Sequence, residues 1–405
     1  MNQSTSTIEL VEYRRISFDR DIISDAAANL LWHDYRNIIE FQPPSIITNY
    51  QWQLTSQGWV GYLPLTSELG IRLKPKIALN NILGMLEYAY DLKSFRLLEG
   101  RNHCETIEEF YERLAGILAR RILARVRRGL YRTYIPKLER LTCIRGRIDI
   151  PSTIRKPWEI ALKCHYQEQT ADIEDNQILA WTLHQIIRSN VCTDRTLPEL
   201  RQAYRAFQGS VNLIPHSAQA CIGRTYHRLN DDYQLLHALC RFFLEQSSPQ
   251  LNRGDRHMIP FLVDMASLYE KFVAQWLKAH NQSFLDPHRL RLATQVPVYL
   301  NEDKSIKFII DLVLTDIATG QVGYVIDTKY KSPAKPSTQD VQQIIAYAVV
   351  TGAMEAILLY PQELSQPLNT QVSNHGHNIR VRTLAFGIDR DLDLCGKEFI
   401  HQFLG

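Results

Sequence analysis

The chain has 405 residues, of which 45% are hydrophobic, and its formal net charge is +3. This length allows two or three domains with sizeable cores, whereas the small net charge indicates no particular partner. No apolar run approaches the ~20 residues needed to span a bilayer, and the N-terminus lacks a hydrophobic signal core, so a soluble, cytoplasmic protein is expected. The seven cysteines are odd in number and form no CxxC pair, which argues against a disulfide framework, a zinc ribbon or a cysteine-held iron-sulfur cluster.

The first hundred residues mix short β-like segments with one helix. SIITNYQWQLT and GWVGYLPL have strand character, and NNILGMLEYAYDL has helical periodicity. Gly58 and Gly61 permit tight turns, while Pro64 and Pro75 limit regular strand pairing. We therefore predict a small α+β domain over residues 1–100.

Residues 101–255 are predicted to be mainly helical, with apolar residues at helical spacing in DNQILAWTLHQIIRSN and YQLLHALCRFFLEQSS. Between residues 113 and 147 there are eleven Lys or Arg and a single acid, Glu139. This basic segment is consistent with contact to a phosphate backbone or to an acidic partner. It is equally consistent with an ordinary amphipathic helix whose arginines are solvated. Asp172 and Asn176 are expected to cap or brace structure.

The polar stretch SSPQLNRGDRH at 247–257 is predicted to link this region to a third domain, residues 256–405. That domain begins with MASLYEKFVAQWLKAH, an amphipathic helix that carries Glu270 close to its apolar stripe. KFIIDLVL and GYVIDTKY then predict a β-hairpin, TQDVQQIIAYAVVTG a helix and EAILLYP a buried strand. This order predicts an α/β core with an acidic cluster at one end of the sheet.

The predicted hairpin carries the most informative residues of the chain: Asp311 on its first strand, and Asp327 and Lys329 at the end of its second. Charges in such apolar runs are costly unless they are paired or metal-bound, although an edge strand can carry Asp and Lys on its solvated face. Asp327 and Lys329 should share a face, while Thr328 should point into the opposite layer. Phosphodiester hydrolysis needs a metal, an activated water and neutralisation of the growing charge. Asp311, Asp327 and the Thr328 carbonyl would suit Mg²⁺, with Lys329 acting on the water.

The chain resembles the McrC family, the nuclease subunits of McrBC modification-dependent restriction systems, which carry a PD-(D/E)xK site. The residues that carry the resemblance in the third domain lie in DMASLYEKFV, IIDLVL, IDTKYK and TQDVQQIIAYA, and are Asp264, Met265, Glu270, Asp311, Asp327, Lys329, Lys331, Asp340, Gln343, Ala346 and Tyr347. IRGRIDI, EQTADIEDNQIL and several N-terminal segments extend it over nearly the whole chain. Ile310 stands where this superfamily often has Pro; because the carboxylate binds the metal, we expect this departure to be harmless.

The resemblance implies a Mg²⁺-dependent DNA endonuclease subunit, with Mn²⁺ as a possible substitute. Glu270 would bind metal through water or position the site, and Gln343 would hold the water or the phosphate. Lys331 would contact phosphate or be solvated. The implied fold is an α+β N-terminal domain and a helical middle region, followed by an α/β restriction-endonuclease-like domain.

The resemblance also implies partners: a McrB-like AAA+ GTPase hexamer, which the N-terminal domain docks and whose hydrolysis this chain stimulates, and double-stranded, methylated DNA recognised by that motor. No GxxxxGK[ST] run is present, so no bound nucleotide is expected on this chain. Two alternatives remain: a non-catalytic adaptor that activates the motor, and a stand-alone DNA repair nuclease of the same superfamily.

Overall fold

The computed structural model describes residues 6–66, 69–90, 92, 106–189, 191–246, 261–299, 303, 305, 307–374 and 377–404. These form two compact units, one built from residues 1–107 together with 261–405, and the other from 108–260. The predicted linker at 247–257 lies outside the described residues. Within those residues, no helix combines the length and the apolar character needed to cross a membrane, and all six described cysteines are free.

The N-terminal part of the first unit is α+β, as predicted. Its elements are β1 (Ser6–Val11), β2 (Arg15–Phe18), α1 (Asp25–Asp34), β3 (Ile39–Gln42), β4 (Trp52–Ser56), β5 (Trp59–Pro64), β6 (Leu69–Lys74) and α2 (Leu79–Ala89). Ser24 caps α1 by accepting a hydrogen bond from the Ala27 backbone N–H at 3.3 Å. β2, β4 and β3 form a small antiparallel sheet.

The second unit is mainly helical but also contains a sheet that the periodicity does not reveal. Its elements are α3 (Ile107–Arg128), β7 (Thr133–Leu141), β8 (Arg147–Ile148), α4 (Ile150–Arg155), β9 (Leu162–Thr170), α5 (Glu174–Ser189), α6 (Leu197–Arg205) and α7 (Asp232–Gln246). β9 pairs antiparallel with both β7 and β8. Asn176 is fully buried, and its side-chain amide donates to the carbonyls of Tyr131 and Ala171. It thereby links the segments that precede β7 and α5.

Acids of the second unit compensate part of the basic segment. Arg125 and Arg128 both pair with Asp232, and Lys137 and Arg145 both pair with Glu168. These four cations therefore contribute less to an external field than the sequence count suggests. Contact of the segment with DNA or a partner stays a prediction.

The C-terminal part of the first unit is α/β. Its elements are β10 (Phe261–Asp264), α8 (Met265–Ala279), α9 (Asn281–Phe284), β11 (Leu290–Tyr299), β12 (Lys307–Asp316), β13 (Val322–Thr328), α10 (Thr338–Thr351), β14 (Glu355–Tyr360), β15 (Asn369–Asn374), β16 (His377–Ala385) and α11 (Leu392–Leu404). The sheet order is β11-β12-β13-β14-β16-β15. The predicted hairpin, helix and buried strand are present, and the mixed α/β class is confirmed. β11 covers the outer side of β12, so Asp311 lies on an interior strand.

The two outer segments, which the sequence divides into domains 1–100 and 256–405, share a sheet. β10 pairs antiparallel with β5, which completes the order β1-β6-β5-β10. Gly61 makes this possible: its φ is +136°, and a Cβ there would collide with the carbonyl oxygen of Phe261. The two segments therefore lie in one compact unit, because backbone pairing joins them.

Helix α2 packs on elements of the C-terminal segment. The rings of Tyr88 and Phe272 meet edge to face, with centroids 5.7 Å apart. Asn81 Nδ2 donates to the carbonyl oxygen of Ile388 at 2.6 Å. Through these contacts α2 supports α8 and the segment that follows β16.

Candidate active site

Asp311 and Asp327 lie side by side on neighbouring strands. Leu312 pairs with Ile326 in the β12–β13 ladder, so the next rung sets Asp311 opposite Asp327. Asp311 Oδ2 accepts hydrogen bonds from both the backbone N–H and the hydroxyl of Thr328, each at 2.8 Å. The expectation that the Thr328 side chain points into the opposite layer is therefore wrong. Thr328 is the last residue of β13 and lies past the last pair with β12, although it still pairs with Leu359 of β14, so on the β12 side its hydroxyl can turn toward Asp311.

Lys329 is held inside this cluster. Its Nζ lies 2.6 Å from Asp327 Oδ2 and 3.9 Å from Asp340 Oδ1, and donates to Gln343 Oε1 at 3.1 Å. Its backbone N–H donates to the carbonyl of Leu359 at 2.8 Å, which continues the parallel pairing of β13 with β14. Asp327 is only 3% exposed. The Lys329 ammonium is therefore fixed beside a buried carboxylate, on the same side as predicted.

The first turns of α10 supply further polar groups. Ser337 caps the helix by accepting from the Asp340 N–H, and its hydroxyl donates to Asp340 Oδ2 at 2.6 Å. Asp340 also pairs with Lys331 at 2.5 Å, and Gln343 Nε2 donates to the Tyr347 hydroxyl at 2.6 Å. Asp340 and Tyr347 were not among the predicted site residues. The Ser-x-x-Asp spacing at a helix start and the i, i+4 spacing of Gln343 and Tyr347 could have indicated them.

Glu270, on α8, faces the same cluster. Burial, the charge of Asp311 and, more weakly, that of Asp327 raise the pKa of Glu270 to about 7, although a hydrogen bond from Gln295 opposes the shift. Burial also raises the pKa of Asp327 to about 6, against the lowering influence of Lys329. Although burial acts in the opposite direction, pairing with Asp327 raises the pKa of Lys329. The site is thus acidic, with a firmly protonated lysine at its centre.

The donor set suits a hard divalent cation that keeps part of its hydration shell. Among the described residues, no three His, Cys, Asp or Glu side chains are grouped so as to hold a metal by themselves. Mg²⁺ usually needs only one or two carboxylates beside its waters, which Asp311 and Asp327 can provide. The raised pKa values of Glu270 and Asp327 indicate negative charge that a cation would relieve. Since one or two carboxylates suffice for Mg²⁺, the donor set fits this ion without a direct bond from Glu270 to it.

Glu270→Gln is expected to stabilise the metal-free protein by about 1–2 kcal/mol at pH 8 and to leave stability unchanged near pH 4. The pKa of Glu270 is raised from 4.5 to about 7. The unfolded chain therefore loses its proton first, and wild-type stability falls as pH rises between these values. The partial exposure of the side chain reduces the full linkage energy. Urea unfolding in chelator across this pH range measures the difference.

The matched control is Glu363→Gln, at an exposed position away from the cluster. It should leave the pH dependence of stability as in wild type. Equal stability of wild type and Glu270→Gln at pH 8 would contradict the carboxylate crowding described above.

Comparison with known proteins identifies the family. A family model described as "McrBC 5-methylcytosine restriction system component" matches residues 54–361, which is more than half of the chain and includes the whole acidic cluster. The chain belongs to this McrBC family. The resemblance drawn from the sequence motifs is confirmed.

One curated relative of this McrBC-family chain is the type IV methyl-directed restriction enzyme EcoKMcrBC of Escherichia coli (strain K12). The two are 28% identical over 221 residues, which are 51% of this chain and 60% of the relative. The chain therefore spans less than two thirds of that relative's length.

Two solved structures resemble the chain. One is described as "Refined half-complex from tetradecameric assembly of Thermococcus gammatolerans McrB AAA+ hexamers with bound McrC": TM-score 0.55, 18% identity, 98% of this chain and 99% of the matched chain. The other is a cryo-EM structure of the Thermococcus gammatolerans McrBC complex: TM-score 0.46, 19% identity, 69% and 88% coverage. The first likeness shows that the McrBC-family chain shares its fold with a chain of that assembly.

Proposed function

We propose that this chain is a metal-dependent DNA endonuclease subunit of a modification-dependent, McrBC-type restriction system. The observation that carries the proposal is the grouping of Asp311 and Asp327, on two interior strands, with Lys329, which directly follows the second of them. The Lys329 ammonium lies 2.6 Å from the Asp327 carboxylate, and continuing the β12–β13 register sets Asp311 opposite Asp327. Family membership supports the same conclusion.

A PD-(D/E)xK nuclease site accounts for this arrangement better than the alternative in which Asp and Lys lie on the solvated face of an edge strand. Asp327 is buried, and its strand lies between β12 and β14 in the sheet. Burying a carboxylate is unfavourable unless it is paired or binds a cation, and a position on a solvated edge would not bury it. The intact grouping of Asp311, Asp327, Lys329 and Gln343 also counts against the non-catalytic adaptor.

Each side chain has a role in the proposed reaction. Asp311 and Asp327 would hold Mg²⁺, or Mn²⁺ in its place, with the Thr328 carbonyl as a further oxygen ligand. The ion would supply Lewis acidity toward a phosphate oxygen and toward a water. Lys329 orients that water and stabilises the negative charge of the transition state. Gln343, which accepts a 3.1 Å hydrogen bond from Lys329, would hold the water or the phosphate beside that ammonium, and Glu270 would position the site or bind the metal through water.

We further propose that the chain acts with a McrB-like AAA+ GTPase hexamer on double-stranded, methylated DNA, and that it binds no nucleotide itself. The Thermococcus gammatolerans structure is described as McrB hexamers with bound McrC, which supports this kind of assembly. The N-terminal segment offers a candidate docking site, since Ile46 and Ile47, between β3 and β4, are 80% and 91% exposed.

Ile46→Asp combined with Ile47→Asp is expected to lower stimulation of the motor's GTPase by roughly 10-fold or more, because a charge in an apolar contact must be desolvated. Both side chains are exposed, so stability should not change. Asp21→Ala, on the exposed surface of the same segment, is the control. Unchanged GTPase stimulation by the double variant would place the docking surface elsewhere.

The proposed function is tested by incubating methylated and unmethylated plasmid with the purified chain and Mg²⁺, with and without the partner AAA+ protein and GTP. Cleavage that requires methylation, partner, GTP and Asp327 is the expected result. Cleavage by the chain alone would favour the stand-alone repair nuclease. Motor stimulation without any cleavage that depends on Asp327 would favour the adaptor.

A further inference from the structure

Gln295 has an unusual backbone conformation in the middle of β11. Its φ is 52°, in the left-handed region that residues with a side chain rarely adopt. Glutamine is not among the residues that tolerate this region best, which are Gly, Asn and Asp. Such a conformation persists only where the surrounding structure imposes it, and it is often found at functional sites.

The sheet places Gln295 directly beside the acidic cluster. Thr294 pairs with Leu312 and Val296 pairs with Ile310, so Gln295 stands next to Asp311. Asp311 in turn stands opposite Asp327 when the β12–β13 register is continued by one residue beyond the pair Leu312–Ile326. The three residues therefore occupy one cross-strand row over β11, β12 and β13.

The Gln295 side chain contacts the third carboxylate of the site. Its Nε2 donates a hydrogen bond to Oε1 of Glu270, on α8. A neutral amide is a suitable donor at this point, because it orients a carboxylate without cancelling its charge. A lysine or arginine would form an ion pair and compete with a divalent cation for the same oxygens.

We propose that Gln295 is a positioning residue of the nuclease site, which holds the Glu270 carboxylate against the Asp311–Asp327 pair. This inference rests on the proposed function. The left-handed backbone is retained at position 295 because the amide must reach α8 from a strand in register with Asp311. Glutamine has the needed length, whereas the residues that suit the backbone better are shorter.

Gln295→Gly separates the positioning role from a structural one. Glycine adopts φ 52° without steric cost, so a merely structural view predicts equal or greater stability and unchanged activity. The positioning role predicts equal or greater stability with a 10–100-fold loss of cleavage or of Mg²⁺ affinity, a loss typical of outer-shell partners. Gln295→Asn keeps the amide and suits the backbone, but its side chain is one methylene shorter. This variant should also be at least as stable as wild type while losing cleavage or Mg²⁺ affinity.

The experiment uses the full chain with its AAA+ partner and GTP for cleavage, and the full chain alone for the other measurements. Denaturant unfolding in chelator gives the stability of the metal-free protein, and calorimetric titration with Mg²⁺ gives metal affinity. Arg289→Gly is the matched control, since Arg289 also has a positive φ, 55°, and lies just before β11. It should gain stability without losing cleavage.

The expected result is a Gln295→Gly protein at least as stable as wild type but 10–100-fold weaker in cleavage or Mg²⁺ binding. Full cleavage with full Mg²⁺ affinity would overturn the inference, and so would a loss of stability that parallels the loss of activity. An Asp327→Asn variant is measured in parallel, so that failure of the inference about Gln295 can be distinguished from failure of the proposed function. If wild type does not cut in an Asp327-dependent way, the nuclease assignment fails, and the role of Gln295 fails with it.

Discussion

Asp327→Asn is expected to reduce DNA cleavage by roughly 10³-fold or more while the chain remains folded. The substitution removes a metal-binding charge and leaves an amide of similar size. Lys329 keeps its 3.1 Å hydrogen bond to Gln343 and its proximity to Asp340, so its ammonium is not left without partners. Burial raises the pKa of Asp327 to about 6, so its ionised form opposes folding at neutral pH, and removing that cost offsets the lost pairing with Lys329; stability should therefore change little.

Lys329→Ala should cause a loss of the same order, because the ammonium that stabilises the transition state is absent. Matched controls are Asp389→Asn and Lys307→Ala, at exposed positions of the same unit. Plasmid cleavage with partner, GTP and Mg²⁺ gives the rates, and circular dichroism with thermal unfolding verifies the fold. If either site variant cuts at the wild-type rate, the assignment of the catalytic cluster is wrong.

A chain that lacks residues 1–92 is expected to lose the folded nuclease segment along with the N-terminal one. The domain boundaries drawn from the sequence predict the opposite, a nuclease domain that folds without the first hundred residues. Deletion would remove β5, the partner of β10, and α2, which covers Phe272 on α8. Each large apolar side chain exposed would cost roughly 1.5–3 kcal/mol. A domain is stable by only about 5–15 kcal/mol, so a few such losses suffice.

The N-terminal segment also supports the residue that follows Lys329. Tyr330 is buried, and its hydroxyl donates to Glu12 Oε2 at 3.3 Å, while the Tyr13 hydroxyl donates to the Tyr330 carbonyl at 3.4 Å. The Lys76 ammonium lies 4.7 Å from the centre of the Tyr330 ring. Deletion would therefore loosen the strand end that presents Lys329 even where the fold partly survived.

The control for this deletion removes the other unit. A chain in which residues 108–260 are replaced by a flexible linker of about 20 residues should fold, because both outer segments of the first unit are retained. Soluble expression and cooperative thermal unfolding compare the two proteins. A soluble, cooperatively unfolding protein without residues 1–92 would show that the two outer segments are independent domains.

The sequence by itself determined the catalytic candidates that lie close together along the chain. Asp327 and Lys329 are two residues apart on an apolar strand, so local alternation is enough to bring them to one face. The periodicity of α8 and α10 likewise predicts the helices that carry Glu270 and Gln343. These features depend only on residues that are near neighbours in the chain.

Only the tertiary structure decided the contacts between segments that are distant in sequence. The pairing of β10 with β5, the position of Gln295 beside Asp311 and the turn of Thr328 toward Asp311 each depend on strand register or on where a ladder ends. Register follows from how whole faces of a sheet pack, and a shift of one residue reverses every side chain. That packing is a property of the assembled core, and no local pattern in the chain encodes it.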